Sequence, residues 1–152
     1  MKWFYDHGHQ VVGVEIAEKP VRDFFHENNL PVVESHCSAT ESKNFQSLDG
    51  RLIVYCTDIF AFLSSQPPPM DVVWDRASLC IMASQKERLS RYVELMKSVL
   101  APGYMYILTT FRHDNSSFTG DIATLTKVCE LVNGVTVTGI PSLYEVTWCI
   151  RG

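Results

Sequence analysis

The run Val11-Val12-Gly13-Val14-Glu15 constrains the fold more than any other stretch of the chain. Its β-branched residues, closed by an acid, read as a short strand that ends at the ligand crevice of a doubly wound α/β protein. A carboxylate at such a strand end accepts both hydroxyls of a nucleotide ribose, and an ionised acceptor makes these bonds stronger than neutral pairs. That acid ordinarily follows a glycine-rich cradling turn by about 20 residues. Here it stands at position 15, so the spacing sets the cradle before residue 1. Taken alone, Glu15 reads equally well as a solvated strand end.

A chain of 152 residues is one domain's worth, and at 46% hydrophobic and 20% charged it can bury a real core. We therefore expect a single domain over residues 1–152. The formal charge of −4 and the scattered Lys and Arg residues exclude a surface for nucleic acid, while small nucleotides remain allowed. Five cysteines, odd in number and without a Cys-x-x-Cys pair, point to buried small hydrophobes in a reducing compartment. No apolar run reaches the roughly 18 residues of a membrane span, and Met1-Lys2-Trp3-Phe4 leads directly into Asp6 and His7 rather than into a signal peptide. The expected location is the cytoplasm, with no membrane partner.

Strand and helix segments alternate. Residues 1–7 read as the last turns of a helix stopped by Gly8. A helix follows from Glu18 to Asn29, with Pro20 in its first turn and Val21, Phe24 and Phe25 on its apolar face. Pro31 to Glu34 reads as a short strand and the polar stretch Ser35 to Asn44 as a loop. Asp49-Gly50 turns the chain into the strand Arg51 to Cys56, in a hairpin. Ser64 to Met70, with three consecutive prolines, is a stiff connector rather than a domain boundary. Beyond it come a strand Asp71 to Trp74, a helix Gln85 to Leu100 ended by Pro102-Gly103, and a strand Tyr104 to Thr110. A helix Asp121 to Val132 and strands Val135 to Gly139 and Tyr144 to Ile150 complete the series. The fold class is α/β, doubly wound, with a mostly parallel sheet.

Ligands of such sheets bind at the carboxyl ends of the strands. Those ends are Glu15-Ile16, then Thr57-Asp58-Ile59-Phe60, then Asp75-Arg76. Asp58 offers an acceptor for an adenine amino group and Ile59 an apolar face for its ring; Asp58 is as readily the N-cap of a turn at Ile59 to Phe62. Asp75 and Arg76 place charge where a ligand or substrate arrives, or Arg76 pairs with Asp75 or another surface acid to little effect. The three ends occurring together favour the ligand reading.

Met1-Lys2-Trp3-Phe4, Gly8-His9, Val11 to Ile16, Phe24-Phe25, Asn29-Leu30, Tyr55-Cys56, Ile59-Phe60 and Trp74-Asp75-Arg76 together resemble the thiopurine S-methyltransferases. These are S-adenosylmethionine-dependent enzymes of the class I methyltransferase fold. The likeness is specific from residue 1 to about 110 and loose beyond. It implies S-adenosylmethionine as cofactor, with Glu15 on the ribose, Asp58 and Ile59 on the adenine, and Arg76 near the methionine part and the substrate. A serine is usual where Asp58 stands. The implied reaction is direct transfer of the sulfonium methyl to the sulfur of a small aromatic or heterocyclic thiol, by alignment and without a covalent intermediate.

The resemblance also implies three departures. The family's first strand and glycine-rich loop would lie before residue 1, Asn115 to Gly120 replaces a proline-rich substrate segment, and the chain ends at Gly152 before a final strand. That first strand is central in the family fold, between the strands ending at Glu15 and Asp75. We therefore expect this chain alone to be poorly stable, to bind S-adenosylmethionine weakly or not at all, and to risk association in place of a monomeric state. Other chemistries find less support. The five histidines lack metal-ligand spacing, so no metal is expected, and no Gly-x-Ser-x-Gly elbow or P-loop occurs. Cys56 and Cys80 are candidate cleft linings only. A dehydrogenase would not need Asp58-Ile59 or Trp74-Asp75-Arg76. An S-methyltransferase leads; the alternative is a shortened, inactive binding or regulatory module of the same fold.

Overall fold

The computed structural model describes residues 1–76, 78–83, 85–111, 138–141 and 145–151. The chain forms two compact units that divide between Pro67 and Pro68, inside the proline-rich connector. Each is an α/β unit built on its own four-stranded sheet.

In the first unit, helix α1 (Lys2–Asp6) stops at Gly8, whose φ of +86° suits glycine. Strand β1 (Val11–Glu15) then leads into helix α2 (Glu18–Glu27). Strands β2 (Val32–Cys37), β3 (Ser42–Ser47) and β4 (Leu52–Cys56) follow, and helix α3 (Ile59–Ser64) closes the unit. The sheet order is β1-β4-β3-β2. β1 and β4 are parallel, as the crossover between them requires, while the two hairpins make β2–β3 and β3–β4 antiparallel.

The stretch Ser35 to Asn44 is not a loop: it supplies the end of β2, a tight turn and the start of β3. Its polarity reflects position. β2 is an edge strand exposed along most of its length, so nothing selects an apolar alternation there. Ser35 even donates its hydroxyl to Asn44 Oδ1 directly across the ladder, at 2.6 Å.

The core of this unit is Val11, Val21, Phe25, Phe45, Leu52 and Val54, with Phe4, Tyr5, Phe24 and Leu30 packed around it. Val21 and Phe25 meet the sheet because residues four apart share a helix face, and Leu52 and Val54 because residues two apart share a strand face. Arg22 lies over the Phe45 ring at 4.9 Å while bonding Glu18 and Glu34, so a cation closes the apolar layer from outside.

In the second unit, strand β5 (Met70–Arg76) is followed by helices α4 (Ser78–Ala83) and α5 (Lys86–Ser98) and the long strand β6 (Leu100–Phe111). Strands β7 (Thr138–Pro141) and β8 (Glu145–Arg151) complete a sheet of order β5-β6-β8-β7. Among the described residues β5–β6 is the parallel pair of this sheet and the others are antiparallel. Pro102-Gly103 does not end the helix, which stops at Ser98. It lies inside β6, where the register with β5 jumps from Met70↔Leu100 to Val72↔Met105, and Gly103 takes a φ of +75° to make the irregularity. The expected helix over Asp121 to Val132 and the segment Asn115 to Gly120 lie outside the described residues.

Among the described residues β1 and β5 are thus each the outermost strand of their sheet, paired by β4 and by β6 respectively. Each shows apolar side chains there: Val12 is 39%, Val72 44% and Trp74 51% exposed. Among the described residues no helix is long and apolar enough to cross a membrane.

Phe45 is fully buried at the centre of the first unit. Phe45→Ala should cost about 3–5 kcal/mol of that unit's stability in urea denaturation followed by circular dichroism. A loss below about 1 kcal/mol would show that the core described is not what holds the unit together.

Candidate functional site

Glu15 ends β1 beside Cys56, its register partner on β4. The Thr57 amide donates to the Glu15 carbonyl at 3.0 Å, which carries the parallel ladder one step past both strands. The side chain then shapes the exit: Glu15 Oε1 accepts from the Ala17 amide at 2.9 Å and curls the chain into α2. Among the described residues the second oxygen, Oε2, accepts no hydrogen bond. Glu15 is therefore engaged with its own backbone through one carboxylate oxygen.

On the neighbouring strand end, Asp58 Oδ1 accepts from the Phe60 amide at 2.8 Å, and Asp58 is the N-cap of α3. Asp and Ser are comparable N-caps, which accounts physically for Asp58 where the resemblance has a serine. Ile59 is the first helical residue, partly exposed, while Phe60, Phe62 and Leu63 turn inward and hold α3 down. Capping and ligand contact are compatible at Asp58, since Oδ2 is not used by the cap. The β1–β4 ladder brings Glu15, Asp58 and Ile59 to the same end of one sheet, and α3 packs against β1.

Cys56 donates its thiol to the Ile16 carbonyl at 3.7 Å. Burial pushes its pKa up, and the charges of Glu18 and Glu15 add to this, so Cys56 is a neutral thiol beside the acid. Of Cys80 the structure describes no side chain.

Arg76 belongs to the second unit, where it ends β5 with its side chain exposed. Asp75 is different: it is 4% exposed and points inward. Its Oδ2 accepts from the hydroxyls of Tyr92 and Tyr106, both at 2.7 Å, and its Oδ1 from the Ser78 amide at 3.0 Å. Asp75 is fully engaged within the protein and so is not the ligand-facing charge that its place at a strand end suggests. Burial, reinforced by the neighbouring Asp75 charge, holds both phenols well above their ordinary pKa. The sequence carries a signal for this cluster: Tyr92 falls on the apolar face of its helix, and a buried phenol needs an acceptor. Among the described residues no group of three or more His, Cys, Asp or Glu converges as a metal site.

The family profile of thiopurine S-methyltransferase matches residues 1–135. The chain belongs to the thiopurine S-methyltransferase family. It is 38% identical over 121 residues to the thiopurine S-methyltransferase of Bos taurus, covering 79% of this chain and 49% of that one. The Rattus norvegicus enzyme is likewise 38% identical, with 79% and 50% covered. The chain thus spans about half the length of the family members it matches.

Solved structures place the fold among the class I S-adenosylmethionine-dependent methyltransferases. N-methyltransferase NodS from Bradyrhizobium japonicum, in complex with S-adenosyl-L-homocysteine, superposes with a TM-score of 0.63 at 11% identity, covering 94% of this chain and 66% of that one. A 1,6-didemethyltoxoflavin-N1-methyltransferase from Burkholderia thailandensis gives 0.62 at 13% identity, with 99% and 64% covered.

Two outcomes test this description. Asp58→Ala should lower the stability of the first unit by about 1 kcal/mol and Asp58→Ser by only a few tenths, read from thermal melts; equal losses would contradict the cap. The raised phenol values give a sign for pH. Tyr92 and Tyr106 favour the neutral form when folded, so their contribution is complete below the unfolded value near 10 and is lost as pH rises through the folded values. In alkaline titration followed by circular dichroism the second unit should unfold cooperatively above pH 10. The Tyr92→Phe/Tyr106→Phe double variant should lose that steepness, and an identical alkaline limb in both would contradict it.

Proposed function

We propose that the chain takes part in the transfer of a methyl group from S-adenosylmethionine to the sulfur of a small aromatic or heterocyclic thiol, the chemistry named by its family. The observation that carries this reading is the strand end of the first unit. Glu15 keeps Oε2 open there, next to Ile59 and the capped turn at Asp58. An open carboxylate oxygen suits ribose hydroxyls, and an apolar side chain at the mouth of the same turn suits the face of a purine. The residues present therefore fit the adenosine part of the cofactor.

When bound, S-adenosylmethionine supplies a methyl group on a positively charged sulfur. Glu15 would hold the ribose by accepting its hydroxyls, Ile59 would cover the adenine ring, and Asp58 Oδ2 would accept from the adenine amino group. Arg76 would face the methionine part and the substrate. Its guanidinium favours the thiolate form of an acidic heterocyclic thiol, which is the nucleophilic form. The chain's work is alignment of nucleophile, methyl and leaving sulfur, with water kept away, and no side chain is asked to form a covalent bond.

On this reading the two units are parts of a single partial methyltransferase domain over residues 1–152. The protein acts in the cytoplasm on a small molecule rather than on nucleic acid. A second reading is favoured by one observation, that among the described residues β1 is paired on a single side. It makes this chain an inactive binding or regulatory module of the same fold.

Titration of the chain with S-adenosylhomocysteine, followed by backbone amide shifts, tests the cofactor assignment. Weak binding is expected, with Kd above about 100 µM, and shifts centred on Glu15 to Ala17 and Asp58 to Phe60 that vanish in Glu15→Ala. Absence of shifts there, or submicromolar binding by this chain, would contradict the reading. Transfer of labelled methyl to a thiophenol separates the two forms: turnover favours the enzyme, and binding without turnover favours the module.

A further inference from the structure

The carboxyl end of β5 is held by side-chain hydrogen bonds on both faces of the strand. Trp74 donates its indole N–H to Thr109 Oγ1 on β6 at 3.0 Å. One residue later, Asp75 Oδ2 takes the hydroxyls of Tyr106 on β6 and Tyr92 on α5. Register explains the reach: Asp75 pairs with Leu108, and Tyr106 lies two residues from Leu108 on the same face of β6. Trp74 pairs with Ile107 and reaches Thr109 by the same diagonal step on the other face. Past Arg76 the chain is caught again, because the Ser78 amide that opens α4 donates to Asp75 Oδ1, in the manner of a helix N-cap.

Arg76 therefore lies inside a short span whose two ends are tied to one buried carboxyl group. A long, exposed side chain on a loose strand end would sample many positions. On a backbone fixed at both sides it starts from one.

We propose that Asp75 is a positioning residue: its carboxyl, held by Tyr92 and Tyr106, ties the Ser78 amide to the end of β5 and so sets the direction in which Arg76 leaves the sheet. The functional side of this rests on the reading above that Arg76 faces the cofactor and substrate. It assigns the two tyrosines a role that neither could play by contact, since both are buried.

Backbone hydrogen exchange of the full chain tests it without need of ligand. In Asp75→Ala the Ser78 amide should exchange about tenfold faster or more, while the amides of Tyr106 and Leu108 change by less than about twofold. Asp75→Asn should restore most of the protection, because its oxygen can still accept from Ser78 and its amide can donate to the two phenols. Tyr92→Phe keeps the packing volume and serves if Asp75→Ala does not fold; it should raise exchange at Ser78 about threefold at the same place. Unchanged exchange at Ser78, or acceleration spread evenly along β6, would overturn the proposal.

Adding S-adenosylhomocysteine while observing the Arg76 Nε–H signal addresses the underlying reading separately. A response in the unaltered chain that weakens in Tyr92→Phe supports both. No response in the unaltered chain removes Arg76 from the cofactor site, and the exchange result still decides what Asp75 does.

Discussion

The parallel ladder between β1 and β4 is the interaction on which the candidate site depends. Five residue pairs, from Val11↔Leu52 to Glu15↔Cys56, fix the two strands in one register, and the Thr57 amide extends it onto the Glu15 carbonyl. Because side chains alternate along a strand, a slip of one residue would turn Leu52 and Val54 out of the core. Their burial locks the register, and the locked register delivers Glu15 and the Asp58-Ile59 turn to the same end of the sheet. Chemistry at that end is thus set by packing several residues away. Two side-chain contacts complete the arrangement: Glu15 holds the Ala17 amide just ahead of α2, and Asp58 caps α3 through the Phe60 amide, each with one oxygen.

The same topology leaves this ladder at an edge. Among the described residues β1 and β5 are each paired once, and Val12, Val72 and Trp74 are exposed on them. The other edge strand of the first sheet, β2, also exposes Val32 and Val33 but carries Glu34 and His36, charged or polar residues of the kind that discourage strand addition. β1 has no such guard before Glu15.

Much of this was legible in the residues. Val11 to Glu15, the amphipathic pattern Val21-Phe24-Phe25 and the Asp49-Gly50 turn each specify an element through local physics, and each element formed where expected. The N-cap alternative for Asp58 was readable too, since Asp before an apolar run is a helix start. What escaped reading was set by tertiary context. The β2–β3 hairpin has no apolar alternation because its outer strand is exposed, and Pro102-Gly103 sits within a strand because β6 absorbs an irregular register. Asp75 looked like a ligand-facing charge at a strand end. Its burial depends on Tyr92 and Tyr106, 17 and 31 residues away, and the one local signal, Tyr92 on the apolar face of its helix, does not say which acid it meets.

The central claim is that the strand ends of the first unit hold the adenosine of S-adenosylmethionine. The most direct measurement is magnetisation transfer between S-adenosylhomocysteine and the chain carrying isotope-labelled isoleucine methyl groups. Cross-peaks from the adenine protons to Ile59, and from the ribose protons to the backbone at Glu15 and Ile16, are predicted. Adenine cross-peaks that avoid Ile59, with the ligand nonetheless bound, would contradict the account.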